Sequence, residues 1–433
     1  MVIELVWRNL LRVLALGAAI AVFGHFWPGA EARARTDGPA AVPAALPAEA
    51  MRIEQRFQQG LAALEAGDTE TAIRRFTSIL AENPRLHRVR LELARAYFVA
   101  EDWTDARREF FAVLSADVPR AVKDNIIVFL RLIDLRRGWT WDLDAGVRSG
   151  PESGRNYKTD TVILDIFGEE LPFEVDRPDV PDFGGFINGS LEYRRPLVEL
   201  QMLGGPELSG IARVDGAADV YDDSDFDELR YGGNLALQLS WPQTSWSFGP
   251  DIVWRRIGGD ERERLWGVST SVEHRLPEGL ALLGRLGWQK VDDALVDSRD
   301  GDLYSTRFGV SRSLGGRSSI TAIAGVDFFE ADAASESYRR ASVVLRGRTE
   351  LVYGIAPTLS LAAEQTRYRE RNPFFTNRRN DRELGATLEV EKRDLFIGPF
   401  SPFVSVGYSY NFSNIEIYEY DETIYRFGLR KIF

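Results

Sequence analysis

Acid–base, nucleophilic and metal chemistry have few side chains to work with in this sequence. Its 433 residues include no cysteine and only three histidines, His25, His87 and His274. Lack of cysteine removes disulfides, thiolate nucleophiles and thiolate metal sites, and leaves no cysteine to carry a lipid. Neither a G-x-S-x-G turn, nor a metal-spaced set of histidines and carboxylates, nor a phosphate-binding glycine loop occurs. A general base has to lie within reach of a nucleophile or a water. His87 falls instead in a helical repeat and His274 beside the turn at Pro277. The sequence therefore predicts no enzyme, no cofactor and no metal. With 53 Lys+Arg against 65 Asp+Glu the formal charge is −12, which disfavours nucleic acid as a partner. What remains is recognition by charge and shape, and the elements that display it.

The chain starts with Arg8 and Arg12, an apolar run from Val13 to about Phe26, and small residues around Ala30, Ala32 and Ala34. A charged start, a short apolar stretch and an A-x-A-like end predict a secretory signal peptide over residues 1–34. An uncleaved membrane anchor is the alternative, disfavoured by the shortness of the run. Residues 35–50 are rich in Pro and Ala and read as an extended linker.

From Met51 the apolar spacing becomes helical and repeats at 34 residues. Gly60 aligns with Ala94, Ala63 with Tyr97, Asp68 with Asp102, Ala72 with Ala106 and Phe76 with Phe110. A 34-residue helix–turn–helix period with small residues where helices cross is the tetratricopeptide pattern. Two repeats bury little alone, so residues 120–136, with Ile126, Phe129, Leu130 and Ile133 on one stripe, are expected to cap them. The repeat domain then covers 51–137. By repeat position its first helices line a protein-binding groove with Leu61, Leu64, Arg88, Glu92, Arg95 and Phe98.

After Gly138 the period changes to two and stays there to Phe433. Leu229 to Trp241 alternates apolar residues with Arg230, Gly232, Asn234, Ala236, Gln238 and Ser240, and Leu384, Ala386, Leu388 and Val390 alternate with Glu383, Thr387, Glu389 and Glu391. Segments of about ten residues, joined by alternately short and long links, predict an antiparallel transmembrane β-barrel of about 14 strands over 138–433. Short turns are read at Arg195-Pro196, Pro242, Pro277, Gly315, Ala356-Pro357 and Gly398-Pro399. Longer links are read near 149–183, 256–263, 292–302, 331–339, 369–380 and 412–420. Trp139, Trp141, Trp241, Trp246, Trp254, Trp266 and Trp288 fall near strand ends, as interfacial girdle residues should. An even strand count puts both barrel ends on one side, read as the periplasm. The last strand has Tyr425, Phe427, Leu429 and Phe433 on one face, a barrel-insertion signal, with Lys431 placed to snorkel.

If apolar faces meet lipid, the polar faces line a lumen. That places Arg230, Arg255, Glu273, Arg285, Arg307, Arg346, Arg348, Glu364, Glu389, Glu391, Arg426 and Arg430 inside, either as ion-paired struts or as a charged track for a polypeptide. The loop 149–183 holds two apolar pieces, Thr161-Val-Ile-Leu-Asp-Ile-Phe167 and Leu171-Pro-Phe173. These could plug the barrel or cover the loop's own core.

The order of parts resembles the surface lipoprotein assembly modulators, the Slam family of Gram-negative outer membranes. Stretches that carry the resemblance are Leu91-Glu-Leu-Ala-Arg-Ala-Tyr-Phe98, Asn125-Ile126, Phe129-Leu130, Arg136-Arg-Gly-Trp139, Arg379-Asn-Asp381, Tyr408-Ser-Tyr-Asn-Phe-Ser-Asn-Ile415 and Arg426-Phe-Gly-Leu-Arg-Lys-Ile-Phe433. The resemblance covers about residues 50–433. It departs at Pro151-Glu-Ser-Gly-Arg-Asn-Tyr157, where the family tends to have an Asn-rich stretch. It implies an outer-membrane location with the repeat domain in the periplasm, and a role in bringing lipoproteins or related secreted ligand-capture proteins to the cell surface. The implied partners are that substrate, a periplasmic chaperone, membrane lipid, and the barrel-insertion machinery acting on the Phe433 end. A passive channel for a small solute, or a surface receptor or adhesin, are the competing expectations.

Overall fold

The computed structural model describes residues 48–431 except 115, 117, 152–154, 167, 177, 178, 200–205, 316, 396 and 398. The expected signal peptide, most of the linker and the terminal Phe433 lie outside the described residues. The chain divides into a helical unit and a strand unit, with the boundary between Gly138 and Trp139.

Among the described residues the helical unit has five helices: α1 (Ala48–Glu65), α2 (Thr69–Glu82), α3 (His87–Val99), α4 (Trp103–Leu114) and α5 (Arg120–Arg137). The 34-residue repeat is visible in its atoms. Asp68 accepts a hydrogen bond from the Thr71 N–H (3.0 Å), and Asp102 accepts one from Asp105 (3.2 Å), so the same residue caps the second helix of each pair. That bond holds the Asp68 carboxyl below the usual carboxylate range. Ala72, Phe76, Ala94, Ala106 and Phe110 are fully buried. At Gly60 a Cβ would lie 2.6 Å from the Phe76 ring, so the closeness of α1 and α2 requires glycine. Two half-buried ion pairs tie successive helices, Arg90 to Glu109 at 2.7 Å and Arg107 to Asp134.

Fourteen strands form the barrel: β1 (Trp139–Ser149), β5 (Phe183–Glu199), β6 (Glu207–Tyr221), β7 (Glu228–Ser240), β8 (Thr244–Ile257), β9 (Asp260–Leu276), β10 (Leu280–Asp293), β11 (Gly301–Leu314), β12 (Ser318–Ala331), β13 (Tyr338–Thr349), β14 (Ile355–Tyr368), β15 (Asn380–Lys392), β16 (Phe400–Ser413) and β17 (Tyr420–Lys431). Each is antiparallel to its neighbours, and β17 returns to β1. Within the first loop, β2 (Asn156–Tyr157) adds to β17, while β3 (Thr161–Ile166) and β4 (Glu169–Glu174) form a separate hairpin.

Closure brings the first and last strands close together over a short join. β1 pairs with β5 over eleven positions, Trp139 to Ser149, but with β17 over only five, Asp144 to Arg148. Gly146 sits directly opposite Gly428. A Cβ at Gly146 would fall 2.1 Å from the Phe427 carbonyl oxygen, and one at Gly428 would fall 2.5 Å from that of Ala145. The rings of Phe186 and Phe403 cover the space over Gly428, 3.0 and 3.1 Å from where its Cβ would be. Below the seam Lys431, rather than snorkelling outward, donates to the Trp141 carbonyl and lies 3.9 Å over its ring.

Three turn positions differ from the sequence reading. The link expected near 256–263 is the two-residue turn Gly258-Gly259, both at positive φ (59° and 85°), which two glycines permit. The charged residues that read as loop continue β9. Pro196 does not end β5: it pairs with Ser209 at an irregularity before Val198, where a missing N–H is tolerated. Ala356 and Pro357 pair in β14 with Glu391 and Val390, and the turn falls earlier, where Tyr353 and Gly354 take positive φ.

Two substitutions test these accounts. Glu101 occupies the left-handed position (φ 60°) that Gly67 (φ 79°) fills one repeat earlier. Glu101→Gly should stabilise the helical unit by about 1 kcal/mol, read as a higher midpoint of thermal loss of helical circular dichroism. Gly428→Val should prevent closure, read as loss of the compact, fast-migrating band of an unheated barrel on gels. Retention of that band at wild-type level would contradict the role given to the glycine pair.

Candidate functional site

Two surfaces carry the charges from which the sequence reading expects function, one in each unit. In the barrel, antiparallel partners share a face, so the register places every side chain. All twelve expected lumen residues fall on the inward set. Arg230 pairs in register with Arg255, Arg285 with Arg307, Glu364 with Glu383, and Arg348 with Thr358 opposite Glu389. The opposite set is apolar and exposed: Leu235 63 %, Val268 51 %, Phe308 56 % and Phe427 57 %. An exposed apolar face running round the barrel is the face for lipid.

The interior is uneven. Along β5 to β12 it opens into a cavity of about 1180 Å³, whose polar walls include Arg213, Arg230, Asp251, Glu273, Arg285 and Arg307. Ion pairs line this side. Arg307 holds Asp327 through two hydrogen bonds of 2.5 and 2.8 Å, Arg275 holds Glu273 at 2.7 Å, and Arg255 holds Glu228 at 2.8 Å. Arg285 and Arg346 instead donate to hydroxyls, those of Ser269 (3.3 Å) and Ser360 (3.2 Å). Near the seam the interior is filled. Phe186 and Phe403 lie 6.2 Å apart, and the Arg430 guanidinium sits 4.4 Å over Phe403 while it pairs with Glu389. Arg148, 4 % exposed, pairs with Asp219. Glu391, also 4 % exposed, accepts from Arg348 (2.9 Å) and Ser401 (2.7 Å). Arg426 lies 5.6 Å over Phe186.

At the loop end a cavity of about 200 Å³ is bounded by a tyrosine–arginine lattice. Arg379 stacks 3.4 Å from the Tyr418 ring and pairs with Asp381 at 2.7 Å; Arg340 pairs with Glu364 at 3.0 Å. Arg155, from the first loop, lies 4.4 Å over Tyr420. The first loop sends Arg155 and Tyr157 to the wall of that cavity, and its apolar hairpin lies apart from them. Its hairpin lines neither cavity. Instead it leans on the loop 369–379: the Asp165 N–H donates to the Phe374 carbonyl (2.9 Å), Arg371 pairs with Asp165 (3.0 Å), and Thr376 donates to Glu170 (2.9 Å). Ile163, Leu171 and Phe173 stay exposed.

In the helical unit the expected groove residues divide. Leu61 and Leu64 pack against the core of α1, α2 and α3. Phe98 closes an aromatic cluster with Phe129 (5.0 Å) and Trp103 (5.4 Å). Arg88, Glu92 and Arg95 share one face of α3, where Arg88 lies 4.7 Å over the Phe57 ring and Arg95 pairs with Glu92 at 2.7 Å. That face is a charged stripe with its apolar neighbours turned inward. His274, on β9, makes a 2.8 Å hydrogen bond to the Thr244 hydroxyl through Nδ1.

Sequence reasoning missed Arg148, Asp219, Asp327, Phe186 and Phe403. Extending the period of two through β6 and β12 finds the carboxylates. The phenylalanines break that period, because they are apolar at inward positions.

Asp219→Ala should leave the buried Arg148 without its carboxylate and cost about 3–5 kcal/mol. The expected readout is a lower temperature at which the compact band converts to the unfolded one. No change in that temperature would show that Arg148 finds another partner.

Residues 209–433 match the family model described as surface lipoprotein assembly modifier, and residues 63–123 match a tetratricopeptide repeat model. A curated surface lipoprotein assembly modifier from Moraxella catarrhalis is 19 % identical over 373 residues, 83 % of this chain and 69 % of its own length. Among solved structures, the outer-membrane channel DcaP of Acinetobacter baumannii aligns at 8 % identity and a TM-score of 0.39, covering 68 % of this chain and 96 % of its own. Pseudomonas putida OprB aligns at 9 % and 0.36, covering 70 % and 96 %.

Proposed function

The chain belongs to the surface lipoprotein assembly modifier family of the outer membrane, and from that premise we propose that it helps particular lipoproteins, or related secreted ligand-capture proteins, reach the cell surface. The observation that carries this reading is the joining, in one chain, of a tetratricopeptide unit to a closed fourteen-strand barrel. Stacked helical repeats bind peptides and proteins on an extended face, and a solute channel has no use for such a unit. The even strand number brings both ends of the barrel to the side of the short turns, which we assign to the periplasm. In this reading the Arg88–Glu92–Arg95 stripe engages the substrate or a periplasmic chaperone there. The cavity along β5 to β12 is the polar path, and the packed interior near the seam is the wall that supports it. Its arginines and carboxylates would hold a passing polypeptide weakly, because many already pair with one another or with a hydroxyl, as Arg307 does with Asp327 and Arg285 with Ser269. No step is catalytic; binding before passage and folding after it supply the direction.

The test is surface display. A lipoprotein encoded beside this chain is co-expressed with it in a Gram-negative host, and its sensitivity to protease added to intact cells is scored. The expected result is exposure that requires this chain and is lost when residues 51–136 are deleted. A barrel that inserts, leaves the lipoprotein hidden and makes the cells permeable to small solutes would overturn the proposal in favour of a passive channel.

A further inference from the structure

The ladder between β7 and β8 is interrupted half-way along the strands. Asn234 pairs with Asp251 and Leu237 with Phe248 in one unshifted register, but Leu235 and Ala236 between them make no ladder pair with Pro250 and Gly249. The cause is Pro250, the seventh of the fourteen residues of β8, which has no N–H to give to β7. Proline in sheets is otherwise kept to edges and bulges, and a missing backbone bond is costly at this depth. On its other side β8 stays paired, Pro250 with Val268 and Gly249 with Ser269. From the lumen the Asn234 side-chain amide donates to the Pro250 carbonyl (3.0 Å). A Cβ on Gly249 would fall 1.8 Å from the Leu235 carbonyl oxygen, so the strands touch there with no side chain between them.

A cavity lies against each side of this gap. Inside is the polar space of about 1180 Å³. Outside, on the lipid face, is an apolar hollow of about 790 Å³ walled by Leu235, Leu237, Phe248, Val268 and Leu286, with no charged residue among the described ones that line it. Ala236, Gly249 and Ser269 border both spaces, so the wall between them is a single layer of backbone. The hollow is continuous with the face that meets lipid, which makes an acyl chain its occupant.

We propose that the gap between β7 and β8 is a side exit for the acyl chains of the lipoprotein substrate, and that the hollow is where those chains first lodge. This rests on the transport reading above. Acyl chains carried into a polar lumen gain by leaving it for an apolar surface, and they leave with least loss where backbone bonds are already missing. The seam offers no such route, because Phe186 and Phe403 fill the space behind Gly428. The connections give the exit a direction. β7 and β8 are joined through residues 241–243 at the short-turn end and are not joined to each other at the loop end. A chain held in the gap is therefore released only toward the loop end.

The test is photocrosslinking in cells. Benzoylphenylalanine is placed at Phe248, in the hollow, and as a control at Val343, 53 % exposed on the lipid face of β13. A lipoprotein encoded beside this chain is co-expressed, once acylated and once with its acylated cysteine replaced behind a signal that is cleaved without acylation. Surface exposure is scored in the same cells. Illumination should join the acylated form to position 248 and not to 343, seen as a band shifted by the mass of the lipoprotein. Bilayer phospholipid adds too little mass to give that band. The unacylated form should give none. A band as strong at 343 would mean an anchor free in the bilayer, and one at 248 with the unacylated form would mean contact by polypeptide. No band at either position, with the lipoprotein exposed, would mean another route. Each of these overturns the proposal and leaves the transport reading standing, whereas a lipoprotein that stays hidden overturns both. Pro250→Val supplies the missing N–H. It should raise the temperature at which the compact band converts to the unfolded one, and should abolish both the crosslink at 248 and display of the acylated form. A stabilised barrel that still displays the acylated lipoprotein would also overturn the proposal.

Discussion

A backbone N–H or C=O left unpaired in hydrocarbon costs several kcal/mol, so fourteen strands are stable in a membrane only if the first one finds the last. Everything in the barrel unit follows from how that closure is achieved. The seam has five register pairs where the other side of β1 has eleven. It depends on two glycines facing each other and on two phenylalanine rings filling the space that side chains at those glycines would need. Lys431 extends the join past the last of those pairs by binding the Trp141 carbonyl. The inward position of Phe186 and Phe403 is thus a consequence of closure, and it leaves that side of the interior packed.

Because that side is occupied, the larger open space among the described residues lies along the wall from β5 to β12. Alternation then decides the rest. Each strand that offers apolar side chains to lipid must offer its other set to this space, and charged residues there meet partners across the ladder. Arg307 with Asp327 and Arg255 with Glu228 are cross-strand neighbours of this kind. The lumen is consequently rich in charge and nearly balanced.

Much of this was legible in the sequence, and the reasons differ by element. The repeat was readable because a 34-residue period fixes cap, crossing and core positions together: Asp68 and Asp102 both cap, and Phe76 and Phe110 are both fully buried. The twelve lumen charges were readable because a period of two assigns faces without knowledge of neighbours. Turns were less so. Prolines at 196 and 357 mark turns by composition, yet both lie in strands, since an interrupted ladder or a strand start tolerates a missing N–H. The two phenylalanines at the seam were illegible because only the closed barrel shows that glycines on β1 and β17 need filling. The groove residues Leu61, Leu64 and Phe98 were assigned by repeat position alone, and their apolar character took them into the packing of the unit.

The central claim is that a polypeptide travels through the open side of the lumen. Neighbouring residues on β10 separate inside from outside: Arg285 lines the cavity and Leu286 is 55 % exposed on the lipid face. With no native cysteine, Arg285→Cys and Leu286→Cys each carry a single thiol. The decisive measurement is disulfide trapping with a lipoprotein substrate that bears one cysteine and a fusion too large to pass. The account predicts a linked species with the thiol at 285 and none at 286. Linkage at 286 alone, or at neither position while the same substrate without the fusion still reaches the surface, would contradict it.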